Sequence, residues 1–180
     1  MATDFTVDRD TVKYVLNSSG DIASVAIDTP AIEYNTDGTY KGLLVEPAST
    51  NLCLQSEDIS TTWDTTGGNA TPTQSTEETP DGDTTNKYIK LADDGSTGTG
   101  FVYVAQTITV SGGTKYTASV FLKKDGLDWA RLRAFDTGGV DDDPYQYFDL
   151  DNGVLGTGSA GIQDATIEAY PNGWYRCSIT

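Results

Sequence analysis

Apolar and polar residues alternate in short runs along this chain, with a period of two. In "KYTASVFLKK" (115–124), Tyr116, Ala118, Val120 and Leu122 share one side, and Thr117, Ser119, Phe121 and Lys123 the other. Successive side chains of a strand point to opposite faces, so the alternation predicts a strand with one buried face. The same reading predicts strands in "TVKYVLN" (11–17) and "IASVAI" (22–27), joined by "SSGD" as a small hairpin. "AIEYNT" runs into a second turn, "TDGTYKG". "NLCLQS" (51–56) reads as a strand that sends Leu52 and Leu54 into the core. Residues 65–85 are almost wholly polar and read as a surface loop or extended arm. Further strands follow in "NKYIKLA" (86–92), "GFVYVAQTITV" (100–110), "LDWARLRAF" (127–135), "YQYFDLDNG" (145–153), "ATIEAY" and "GWYRCSIT". Turn residues recur every eight to twelve positions or so and no amphipathic helix stands out, which predicts an all-β sandwich or barrel.

Period-two alternation also assigns faces. Ala130, Leu132 and Ala134 read as core, as do Phe148 and Leu150. Three consecutive strands then share an outward face holding Phe121, Trp129, Arg131, Arg133, Tyr145, Tyr147 and Asp149. Rings mixed with charge suit a sugar, whose C–H faces pack on rings and whose hydroxyls bond to Arg and Asp. They suit equally a subunit interface, where Trp, Tyr and Arg are enriched. An ordinary solvated sheet face is the third reading, because aromatics favour strands for packing alone and Arg often lies over them.

Charge narrows the partners. Eleven basic residues face 27 acidic ones, for a net charge of −16. Such a surface repels nucleic acid, since it offers little positive charge to displace counterions. No apolar run is long enough for a membrane-spanning helix, and "MATDFTVDRD" does not read as a secretory signal, so no membrane insertion is expected. Histidine is absent, which excludes Ser–His and Cys–His nucleophiles and His-ligated zinc. Cys177 falls on the side of Tyr175 and Ile179, and Cys53 opposite Leu52 and Leu54, so two reduced thiols are expected.

"GLLVEPASTNLCLQSEDIS" followed by Trp63 resembles the opening of a jelly-roll sandwich, similar to carbohydrate-binding modules, found in bacteriophage virion proteins. The resemblance lies in Gly42, Leu43, Leu44, Glu46, Pro47, Thr50, Asn51, Leu52, Ser56, Glu57, Asp58 and Trp63. "DGDTTNKYIKLADDG", "YVAQTITVSGGTKYTASVFLK", "YFDLDNGVLGT" and "NGWYRCSIT" are similar to later parts of the same pattern, in order. Upstream, "SSGDIASVAIDTPAIEYN" resembles a short pre-module, with Ala31 where an arginine is usual. The resemblance covers the chain from about residue 17 and implies a jelly-roll over 42–180; the arm and small hairpin of residues 1–41, which precede it, are read as an attachment segment. It implies a non-enzymatic fibre, spike or head-decoration protein of a phage particle, assembled in the host cytoplasm as a homo-oligomer beside other virion proteins. Its expected partner is a host-surface polysaccharide; the alternative is a structural decoration or cement with no glycan. The family pattern continues beyond "GWYRCSIT", so either an incomplete sandwich with an open edge or a strand supplied by a neighbouring chain is expected.

Two acidic stretches complete the candidates. Asp141, Asp142 and Asp143 in "VDDDPY" cluster oxygen ligands of the type calcium takes, as does "ADDGSTGTG", though neither spacing is an EF-hand loop. No cofactor is otherwise expected. Paired carboxylates for glycan hydrolysis carry no signal, because 27 acidic residues supply pairs in abundance.

Overall fold

The computed structural model describes residues 6–46, 49–55, 59, 61–65, 70–75, 77–82, 88–93, 102–135 and 143–180. The protein is all-β. Twelve strands are formed among the described residues, with a single 3-10 turn at Pro171–Gly173 and no α-helix. By its contacts the chain forms two units, Met1–Leu44 with Gly113–Thr180, and Val45–Gly112. The contacts thus cut at residues 44 and 112, where the sequence pattern places a single boundary after residue 41.

The first unit begins with two hairpins. Strands β1 (Lys13–Leu16) and β2 (Ile22–Val25) pair antiparallel, as do β3 (Ile32–Tyr34) and β4 (Tyr40–Leu43). The two connecting turns are built alike. Asn17 N–H donates to Asp21 O at 2.8 Å and Gly20 N–H to Asn17 O at 2.9 Å; Asn35 N–H donates to Thr39 O at 2.8 Å and Gly38 N–H to Asn35 O at 2.9 Å. Gly20 and Gly38 both take positive φ, +82° and +79°, where a β-carbon is strained. Each glycine also faces the other turn. A Cβ on Gly20 would stand 2.7 Å from Thr36 O, and one on Gly38 2.5 Å from Ser18 O. The "NSSGD" and "NTDGT" turns are therefore a repeat that docks reciprocally through its glycines.

The rest of this unit is two three-stranded antiparallel sheets. One has the order β10-β9-β8, from β8 (Trp129–Arg133), β9 (Tyr145–Asp149) and β10 (Val154–Gly158). The other has the order β11-β12-β7, from β7 (Ala118–Lys123), β11 (Ala165–Ala169) and β12 (Trp174–Ile179). Their apolar faces share one core. Phe148, Leu150, Cys177 and Ile179 are buried together, and Leu122, Ala130, Leu132, Ile162, Ala165, Ile167 and Tyr175 pack around them. This is a sandwich-like packing of two sheets. The faces expected from alternation hold for Ala130, Leu132, Phe148, Leu150, Cys177 and Ile179. Phe148 and Cys177 are fully buried, so truncating Phe148 to alanine costs about 3–5 kcal/mol. Among the described residues these two sheets hold six strands, an arrangement compatible with a β-sandwich.

The second unit departs further from the expected pattern. "NLCLQS" is not a strand among its described residues. Asn51 Oδ1 accepts the Cys53 N–H at 3.0 Å, closing a side-chain turn, and Gln55 takes a positive φ of 51°. The backbone of Leu54 pairs instead with one side chain: Gln106 Oε1 accepts its N–H at 2.8 Å and Gln106 Nε2 donates to its carbonyl at 2.8 Å. Leu52 and Leu54 stay exposed and do not enter a core. Residues 102–110 keep an alternating exposure over their first half, yet among the described residues only Ala105 pairs, in an isolated bridge to Asp64. The polar stretch 65–85 yields a strand where a loop was expected. β5 (Ala70–Ser75) pairs with β6 (Tyr88–Asp93) from Ala70↔Asp93 to Ser75↔Tyr88. Its threonines are β-branched and favour the pleat, and a two-stranded ribbon is all edge, so Pro72 is tolerated.

Candidate functional site

The outward face of the β10-β9-β8 sheet gathers most of the predicted residues. In the β8–β9 register Trp129 stands opposite Asp149, Arg131 opposite Tyr147, and Arg133 opposite Tyr145. Residues two apart on β8 therefore line one side of the sheet, as the alternation requires. Trp129 is 53% exposed, a large fraction for an indole. Tyr145 and Tyr147 are half-buried and meet edge to face, with ring centroids 5.6 Å apart. The Arg131 guanidinium serves both rings, lying 5.7 Å from the Tyr145 centroid and 5.5 Å from that of Tyr147. Its Nη1 also donates weakly to the Tyr147 hydroxyl at 3.4 Å. Arg133 forms an ion pair with Asp143, and its guanidinium lies 5.2 Å from the centroid of the exposed Phe135 ring.

Two positions that the alternation does not single out complete this platform. The indole of Trp129 reaches across to β10 and rests on Gly156. A Cβ at Gly156 would collide with Trp129 Cζ3 and stand 3.1 Å from Tyr147 Cβ. β10 is irregular here, its register to β9 shifting between Leu155 and Gly158. Buried Gln146 holds the irregularity, donating from Nε2 to Gly156 O at 2.8 Å and to Tyr147 O at 2.9 Å. "VLGTG" reads as turn-rich, yet a glycine within a strand marks a close approach, which is the signal that finds Gly156. For Gln146 the only signal is a polar residue on the Phe148 side of its strand.

Two of the seven residues expected on this face do another job. Phe121 belongs to the other sheet. It sits opposite Arg176 on β12 and packs edge to face with Tyr170 at 5.0 Å. The chain leaves one sheet for the other between β7 and β8, so three strands consecutive in sequence do not share a face. Asp149 is buried, and its carboxylate is occupied within its own turn. Oδ1 accepts the N–H of Asp151 at 2.9 Å and of Asn152 at 3.1 Å, and Oδ2 accepts the Asn152 side-chain amide at 2.9 Å. The Asn152 side chain foremost, then the backbone N–H groups and Lys124, hold this carboxyl below its ordinary range against the opposing effect of burial. Asp149 thus anchors the β9–β10 turn and offers nothing to a ligand.

Of the expected calcium ligands, Asp141 and Asp142 lie outside the described residues, as does most of "ADDGSTGTG". Asp143 is the partner of Arg133. Among the described residues no group of three acidic or thiol side chains is placed to hold a metal ion. Cys177 is buried and Cys53 half-buried, and neither is in a disulfide. Burial pushes the Cys177 thiol up to about 12.

Fold and site together define an all-β protein that displays an aromatic–arginine platform on the outer face of a sheet. Compared with known proteins, the chain matches no family model and no curated protein.

Proposed function

We propose that this is a non-enzymatic surface protein of a bacteriophage particle whose β8–β9–β10 face binds host-surface glycans. The observation that carries the binding role is the half-exposed Trp129 ring, seated on Gly156 beside the Tyr145–Arg131–Tyr147 cluster. A pyranose packs its C–H face on such a ring while phenol and guanidinium groups meet its hydroxyls. Both rings and arginine are braced before a ligand arrives, which limits the entropy lost on binding. The virion setting rests on the resemblance of "GLLVEPASTNLCLQSEDIS" and the later motifs to phage sandwich modules. Single sites of this kind are weak, and display on a homo-oligomer raises the overall affinity by avidity.

The test is glycan-array and cell-binding measurement on Trp129→Ala and Tyr147→Ala. The expected result is loss of binding by about tenfold or more per site. Unchanged binding in both variants refutes the assignment. One observation favours a second reading, a structural decoration without a ligand. Leu127 and Phe135, just beyond the two ends of β8, are 67% and 64% exposed, so this face carries apolar surface that a neighbouring subunit would cover. That reading predicts oligomers in sedimentation that Trp129→Ala and Phe135→Ala dissociate, and no glycan binding by either form.

A further inference from the structure

Resting on the glycan-binding reading, we infer that the platform takes an uncharged glycan and rejects acidic ones, and that Asp143 sets this selectivity. Two cations around the platform are already paired with carboxylates. Arg133 is paired with Asp143. Lys124 is held by both Asp128, at 2.7 Å, and Asp151, at 2.5 Å. Arg131 lies between two tyrosine rings with a donor turned to the Tyr147 hydroxyl, so its charge orients the platform from within. A uronate, sialate or sulfate group would have to displace a carboxylate to gain Arg133 or Lys124. It would also approach a chain with 27 acidic residues against 11 basic ones. That field repels a polyanion over about 8–10 Å at physiological salt. A neutral sugar meets no such opposition. It needs ring faces and hydroxyl partners, which Trp129, Tyr147, Tyr145 and Arg131 supply along the roughly 13 Å of β8 from Trp129 to Arg133.

The experiment compares neutral hexose oligosaccharides with hexuronate-containing oligosaccharides of equal length, by calorimetry on the whole chain and on Asp143→Asn. The neutral chains are expected to bind with a Kd that moves less than about twofold between roughly 50 and 500 mM salt. The uronate chains are expected to bind about tenfold or more weakly at the low-salt end, with the gap narrowing as salt rises. Asp143→Asn releases the charge of Arg133, and is expected to improve uronate binding several-fold while leaving the neutral chain unchanged. Tighter binding of the uronate chain that fades with salt overturns the inference and leaves the carbohydrate reading standing. An unchanged neutral-to-acidic ratio in Asp143→Asn overturns the role of that residue. Binding of neither class removes the carbohydrate reading itself, and the inference with it.

Discussion

Replacing Gly156 with alanine separates the platform from the fold that carries it. A Cβ there collides with the Trp129 indole, the far end of a flexible side chain, and crowds Tyr147 Cβ at 3.1 Å. The indole swings away, and the strained rotamer together with the small shift at Tyr147 costs about 1 kcal/mol. Exchanging glycine for alanine inside a strand returns roughly 0.5–1 kcal/mol, so net stability stays near wild type. Binding behaves differently. With 53% of Trp129 exposed, about 130 Å² of indole surface is open, and a sugar covers about half of it. At about 25 cal/mol per Å² the contact contributes ~1.5 kcal/mol, roughly tenfold in Kd. The assay is a pair of measurements on one preparation: a melting curve, and glycan titration on the same material. The expected outcome is an unchanged melting temperature with about a tenfold weaker Kd. A Kd within about twofold of wild type refutes the indole as the platform. A melting temperature lower by more than roughly 10 °C refutes the separation, because Gly156 is then holding the sheet together.

Three further outcomes test the structure itself. Gly20→Ala and Gly38→Ala each are expected to lower stability by about 2–4 kcal/mol, from positive-φ strain plus contact with a backbone carbonyl, and the double variant to lose clearly less than the sum. Strictly additive denaturant midpoints would show that the two turns are not docked. The Asp149 carboxyl titrates below its ordinary 3.8 in the folded state, so its contribution is whole above that pH and fades as pH falls through the folded value. Asp149→Asn is expected to flatten this acid loss in melts from pH 6 to pH 2, and an acid limb identical to wild type contradicts the anchoring role. The Cys177 thiol, raised from 9.0 to about 12 by burial, stays protonated and unreactive toward maleimide at pH 8 until the chain unfolds. Its stabilising contribution is full below pH 9 and declines above it, as the unfolded thiol ionises first. Rapid native labelling at Cys177 would disprove that burial.

What the chain settles alone is local. Alternation placed Ala130, Leu132, Phe148, Cys177 and Ile179 on inward faces and Trp129, Arg131, Arg133, Tyr145 and Tyr147 on the outward one, because a strand's side chains alternate whatever its neighbours are. It excluded histidine chemistry by composition, and it marked the two N-terminal turns by their glycines. Tertiary structure decided everything that depends on a partner. Phe121 alternates like a platform residue, yet β7 pairs with β12, and strand pairing is a non-local choice that no period records. Asp149 has the outward parity of Tyr147, but it ends its strand, and the turn that follows claims its carboxylate. "NLCLQS" alternates, yet the side chain of Gln106 takes both backbone hydrogen bonds of Leu54, as a strand partner would. Residues 70–75 carry no large apolar side chain, and they still form a strand because β6 lies within reach. Gly156 matters only for what crosses over it, since the absence of a side chain becomes a feature when a ring from another strand fills the space.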